Sequence, residues 1–206
     1  MAFTTASLLF QESVMVAELY RGLRDWKAVR DRVITQNLLQ ARTANTSRRF
    51  YSEIASRLKT LYIEELTLLT EGTSHEQSQL LWIAVCRRYA FIADFAREVL
   101  RERYLSLKMT LQPEDFDIFF NQQAHWHDEL DSIAEATRVK ARQTVLKMMK
   151  EAGLITFDNT INPTVLSARV LDVVAAHRRE DVLLFPVSMA DLRLASVHLA
   201  EVRERA

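Results

Sequence analysis

A chain of 206 residues with 27 Lys and Arg against 27 Asp and Glu has no net charge, so any attraction for a charged partner must come from local clusters. A composition that is 49% hydrophobic, with only three Gly and three Pro, argues against an all-β fold with its many turns and for long helices with short connections. The single cysteine, Cys86, excludes an internal disulfide framework and a Cys-based zinc site and fits a reducing compartment. No apolar run approaches the roughly 18–20 residues of a membrane-spanning helix, and residues 1–10 lack the basic start of a signal peptide. The expectation is a mainly α-helical cytoplasmic protein with no membrane partner.

Helical periodicity begins at residues 8–23, where Leu8, Met15, Val16, Leu19, Tyr20 and Leu23 share a face interrupted by Glu12. Gly22 suits a helix stop. Asp25 is the predicted N-cap of the next helix, since its carboxylate can accept from an unpaired backbone N–H. Trp26, Val29 and Val33 then fall on one side, and the helix fades over residues 37–40. A polar connector, residues 41–45, leads to a third helix with Asn45, Thr46 or Ser47 as its cap and Phe50, Ile54, Leu58 and Leu61 as its inner face. At about 100° per residue, Arg48, Ser52, Ser56 and Lys59 lie opposite, with Arg49 close by. Arg57 falls on the apolar side, where internal pairing is expected.

Residues 62–107 read as two helices broken at 71–74, with Gly72 ending the first and Thr73 or Ser74 capping the second. The second carries Leu81, Trp82, Val85, Tyr89, Ile92, Phe95, Val99 and Leu100, a stripe wide enough for a buried central helix. Pro113 sits where a first-turn proline belongs, ahead of Phe116, Phe119, Phe120 and Trp126. A short element at 129–133 precedes a helix at 137–152, in which Val139, Val145, Leu146 and Met149 face one way. Lys140, Thr144 and Lys147 face the other, flanked by Gln143, and Gly153 stops the helix. Residues 154–165 read as a hairpin turning at Asp158 and Asn159 and returning through Ile161. The tail offers a helix through Leu171, Val174 and Ala175, a β-like run at 182–187 broken by Pro186, and a final helix from residue 188; packing against the body is its expected role.

The expected architecture is a helical bundle in three parts. Residues 1–61 form a helix-turn-helix-like module, 62–110 a central helical connector, and 111–206 a winged-helix-like module with a small β-hairpin and the tail. Each outer module holds a basic block. Between residues 21 and 59 ten Lys and Arg face only Asp25, Asp31 and Glu53, and between 138 and 150 five face no acid at all. A positive face of small residues can approach a phosphate-lined groove. Arg48, Arg49, Lys59, Lys140 and Lys147 are therefore candidates for neutralising phosphates of double-stranded DNA. Asn45, Thr46, Ser47, Ser52, Gln143 and Thr144 are their neutral hydrogen-bonding neighbours. The predicted wing carries Asp158 and no cation, and no phosphate contact is assigned to it.

Three stretches, in this order, carry a family resemblance: LLFQESVMVAELYRGLRDWKAVRDRVITQNLLQARTANTSRRFYSEIASRLKTL, CRRYAFIADFAREVLRERYL and TRVKARQTVLKMMKEAGLI. Together they resemble the BrxA family of BREX bacteriophage-defence systems, over most of the chain to about the end of the hairpin. The resemblance implies a small, non-enzymatic, mostly helical protein that binds double-stranded DNA. It also implies a setting with a DNA methyltransferase, ATPases and a phosphatase-like protein as companions.

Catalytic and cofactor chemistry finds little purchase. Gly22, Gly72 and Gly153 stand alone, so no phosphate-cradling loop is recognisable and no cofactor is expected. His125, His127 and Asp128 resemble a metal cluster on paper, yet an i, i+2 spacing points two imidazoles about 200° apart on a helix. Asp115 and Asp117 sit early in a predicted helix, where acids favour the dipole. Cys86 lies on the apolar stripe as a small core residue, and His75, His177 and His198 have no nearby Ser or Cys in a catalytic order. Two other readings of the basic faces stay open: a scaffold subunit using the acidic stretch from Glu98 to Glu135, and a helical RNA-binding factor.

Overall fold

In the computed structural model, which describes residues 7–126, 130 and 132–188, the chain folds as a succession of helices around a buried central one. Helix α1 (Phe10–Leu23) buries Ser13, Val16 and Ala17. Its end is made not by Gly22 but by Arg24, which takes a left-handed conformation at φ 54° and donates its N–H to the Tyr20 carbonyl. Asp25 caps α2 (Trp26–Thr35) as expected, accepting from the N–H groups of Lys27 and Ala28 at 2.9 and 3.3 Å. Helix α3 (Ala44–Leu58) is capped by Thr43, whose hydroxyl accepts the Thr46 N–H at 3.2 Å. The predicted caps Asn45, Thr46 and Ser47 lie inside the helix instead. Every one of these side chains can cap, and the extended backbone that decides between them belongs to Thr43. On the inner face Tyr51 is buried and Phe50 only half-buried; the Tyr51 hydroxyl donates to the Trp26 carbonyl at 2.6 Å.

Helix α4 (Ile63–Glu71) leads to the central α5 (Ser74–Arg88), in which every residue from Leu80 to Cys86 is buried. Thr73 and Glu76 form its capping box. The long stripe read as one helix is broken at Tyr89, which leaves helical geometry at φ −128°, ψ 95° and donates its hydroxyl to the Glu53 carboxylate on α3. That cross-link, 36 residues back in the chain, fixes the bend. Helix α6 (Ala90–Phe95), a π-helical stretch (Ala96–Arg101) and α7 (Glu102–Leu105) follow.

Helix α8 (Pro113–Ala124) begins with its proline and turns Phe116, Phe119 and Phe120 inward. Phe116 and Phe119 meet Phe91 and Phe95 edge to face at 5.1–5.7 Å, a geometry that suits the ring quadrupoles. Trp126 lies beyond the helix and is 84% exposed, so it is not part of the core stripe. Helix α9 (Glu135–Glu151) buries Ala141, Val145, Met148 and Met149, and Gly153 ends that region at φ 74°. The expected hairpin is reduced to an isolated antiparallel bridge between Ile155 and Ile161; a second bridge joins Thr160 to Thr110.

Helix α10 (Ala168–Ala175) is capped by Ser167. The predicted β-like run is a 3-10 helix (Arg179–Leu184). It places the Asp181 carboxylate on Arg87 at 2.6 Å and the Leu184 carbonyl 3.0 Å from the Trp82 indole nitrogen. Two tertiary contacts thus fix a helical turn where the apolar run suggested a strand. The expected final helix lies, beyond residue 188, outside the described residues, as do residues 129 and 131 of the expected element at 129–133 and His127, Asp128 and His198. A single hydrophobic cluster extends from Leu8 to Val187, and no helix among the described residues is long and apolar enough to cross a membrane.

Candidate nucleic-acid interface

The acids of the N-terminal basic block are largely consumed by structure. Asp25, exposed, is engaged as the cap of α2, and Glu53 is drawn inward to Arg57 and Tyr89, which leaves Asp31 as the exposed acid of the block without such a role. Two of the ten cations are also engaged: Arg21 pairs with Glu71, and Arg57, 2% exposed, binds Glu53 and the Ser7 carbonyl. The other eight, Arg24, Lys27, Arg30, Arg32, Arg42, Arg48, Arg49 and Lys59, are exposed. Among the described residues none of them has an ion-pair partner.

Along α3 these cations are positioned. Asn45 accepts from the Arg48 guanidinium at 2.8 Å, which steadies the fork while leaving most of its donors free. The Lys59 ammonium sits 5.6 Å from the centre of the Trp26 ring, which itself stacks on Tyr20 at 4.0 Å. Arg49 and Ser52 are exposed. Ser47, a candidate surface donor, is 2% exposed. Its helix turns it inward, and it is removed from the surface set. Thr46 is half-buried, with its hydroxyl 2.9 Å from that of Thr43.

The C-terminal block is divided between structure and surface. Arg138 donates to Asp117 and Asn121 on α8 at 3.2 and 2.8 Å, and Arg142 pairs with the same Asp117. These two arginines lock α9 to α8. Lys140, Gln143 and Lys147 stay exposed; Thr144 is half-buried and donates its hydroxyl to the Lys140 carbonyl. Lys147 lies 3.7 Å from Glu151. Both basic helices pack on α5, and the segment before α1 links them: the Ser7 carbonyl accepts from Arg57 of α3, and the Leu8 N–H donates to Glu151 of α9 at 2.7 Å.

Other chemistry is tied up in the fold. Burial pushes the Cys86 thiol well above its usual range, so the reactive thiolate is disfavoured. His75 lies 2.8 Å from Gln79 and 3.2 Å from the Val165 carbonyl, and His177 stacks on Tyr62 beside Glu64. No group of three metal-ligating side chains occurs among the described residues. The sequence-based site omitted Arg24, Lys27, Arg30, Arg32 and Arg42. Their signal was present in the charge count, but only the spent roles of Asp25 and Glu53 distinguish an open block from a neutralised one.

Residues 1–178 match the family model for BrxA. The chain is 30% identical over 148 residues to the BREX protein BrxA of Escherichia coli O9:H4 (strain HS), covering 72% of this chain and 70% of that protein. It is 24% identical over 149 residues to the BREX protein BrxA of Bacillus cereus (strain H3081.97), covering 72% and 74%. A crystal structure of an uncharacterized protein from Magnetospirillum magneticum has the same fold, with a TM-score of 0.79 at 20% identity over 90% of this chain and 96% of that one.

Proposed function

The chain belongs to the BrxA family of BREX phage-defence proteins, and on that premise we propose that it is a non-enzymatic binder of double-stranded DNA. It grips mainly phosphates and reads little sequence. The observation that carries this reading is the group of eight exposed cations on and around α2 and α3, left without carboxylate partners in a chain of zero net charge. A protein that leaves eight exposed cations unpaired in one stretch of chain, while two of the three acids there serve a cap and a buried pair, has a local field fit for a polyanion.

Residues 1–61 serve in this reading as a helix-turn-helix-like module, 62–110 as a connector and 111–206 as a winged-helix-like module with the tail. Support for the last comes from the order of α8, α9 and the Ile155–Ile161 bridge. The backbone before α8 also joins that bridge: the Leu111 N–H donates to Asn159 at 2.9 Å, and the Ile161 N–H donates to Met109 at 2.7 Å. Arg48, Arg49, Lys59, Lys140 and Lys147 neutralise phosphates, with Asn45, Thr46, Ser52, Gln143 and Thr144 as polar neighbours. Other BREX proteins, the methyltransferase and ATPase among them, are the companions in this reading, and the site uses no cofactor.

Duplexes of unrelated sequence should be retained in a gel with similar affinity, and log affinity should fall linearly with log salt. Arg48→Ala should reduce the steepness of that line by about 0.9, the share of one phosphate contact. Retention of duplex RNA or single strands in preference to duplex DNA would refute the reading.

A further inference from the structure

We infer that Phe157 is an aromatic wedge that enters the minor groove of bound DNA next to the groove occupied by α9, an inference that rests on the duplex-binding reading above. Phe157 is 95% exposed, at the tip of the turn between the bridged residues Ile155 and Ile161. Isolated exposed apolar residues are common on protein surfaces; the setting of this one gives it a role. Its turn is braced: the Thr156 N–H donates to the Thr160 carbonyl at 2.9 Å, the Asn159 N–H donates to the Thr156 carbonyl at 3.0 Å, and Asn159 takes φ 64°.

Asp158, the one acid at the tip, is exposed and stays ionised, and its carboxylate is tied back to the turn by the hydroxyls of Thr156 and Thr160, which donate to it from either side. Lys150 reaches over from α9 and donates its ammonium to the Phe157 carbonyl at 3.0 Å. Lys140, Gln143, Lys147 and Lys150 recur at i, i+3, i+7 and i+10, one stripe of the helix, and this polar stripe ends at the aromatic tip. The partner it fits is a polyanion with an apolar interior reachable between its charged rails. Side chains such as Phe do this in duplex DNA by entering between base steps from the minor groove and kinking the axis.

The test is the end-to-end distance of a short duplex labelled at both ends, read by energy transfer, with wild type, Phe157→Ala and Phe157→Trp at low salt. Wild type should shorten the distance. Phe157→Ala should bind about tenfold more weakly, the size of one lost aromatic–base stack, and leave the duplex straight. Its salt slope should be unchanged, because no phosphate contact is removed, and Phe157→Trp should restore both affinity and bend. Equal affinity and equal bending by Phe157→Ala would overturn the wedge while leaving duplex binding intact. So would weaker binding by that variant if wild type itself leaves the duplex straight. A folded wild type that binds no duplex would overturn both readings.

Discussion

Arg87 shows what single side chains do in this protein. Its guanidinium donates twice to Glu65 at 2.6 and 2.7 Å, to Asp181 at 2.6 Å and to the Thr60 carbonyl at 2.9 Å, and all three charged side chains are 2% exposed or less. Removing the central cation strands two buried carboxylates. Arg87→Met is expected to cost about 3–5 kcal/mol of stability, the usual penalty for breaking a buried pair, measured by urea unfolding. This cluster was not legible in the sequence, because Glu65 and Asp181 lie 22 and 94 residues away. Arg57 was legible, since helical spacing alone puts it on the apolar side of α3. Ser47 was misplaced for a similar geometric reason: it lies one turn before Tyr51, the residue that took the inward position expected of Phe50.

Elements depend on their ends. The Thr43 hydroxyl makes the cap of α3, so Thr43→Ala should cost about 1 kcal/mol. Asn45→Ala should leave stability unchanged and weaken DNA binding by freeing the Arg48 fork, a contrast that thermal melting and binding titration resolve together. Glu76 closes the capping box of α5 and also accepts from Ser167 and Arg169. Burial works against its charge, but the Thr73 N–H, the Ser167 hydroxyl and Arg169 outweigh it and hold the carboxyl below its ordinary range. With the folded value depressed, the stabilisation is present above the unfolded carboxylate range and is lost as pH falls through the folded value. Urea unfolding at pH values from about 6 down to about 3 should therefore show a shallower acid decline for Glu76→Gln than for wild type. Caps were legible where one candidate stood alone, as at Asp25, and misjudged where TANTS offered several. The break at Tyr89 and the 3-10 helix at Arg179–Leu184 were hidden because each is fixed by partners distant in the chain.

Across the whole molecule, neutrality and a local polyanion-binding field coexist because acids and bases are allotted differently. In the N-terminal block Asp25 goes to a cap and Glu53 to a buried pair, while eight cations of α2, α3 and the segments beside them are left in solvent. The Ser7–Leu8 segment then ties α3 to α9 through Arg57 and Glu151, so the two basic helices are parts of one packed unit. The central claim is that these helices hold duplex DNA by charge. Fluorescence anisotropy of a labelled random-sequence duplex, at low and at physiological salt, with Arg48→Glu/Lys140→Glu beside wild type, tests it most directly. Binding that weakens as salt rises and collapses in the folded double variant is the predicted result; a folded wild type that leaves anisotropy unchanged, or a double variant that binds as wild type does, would contradict it.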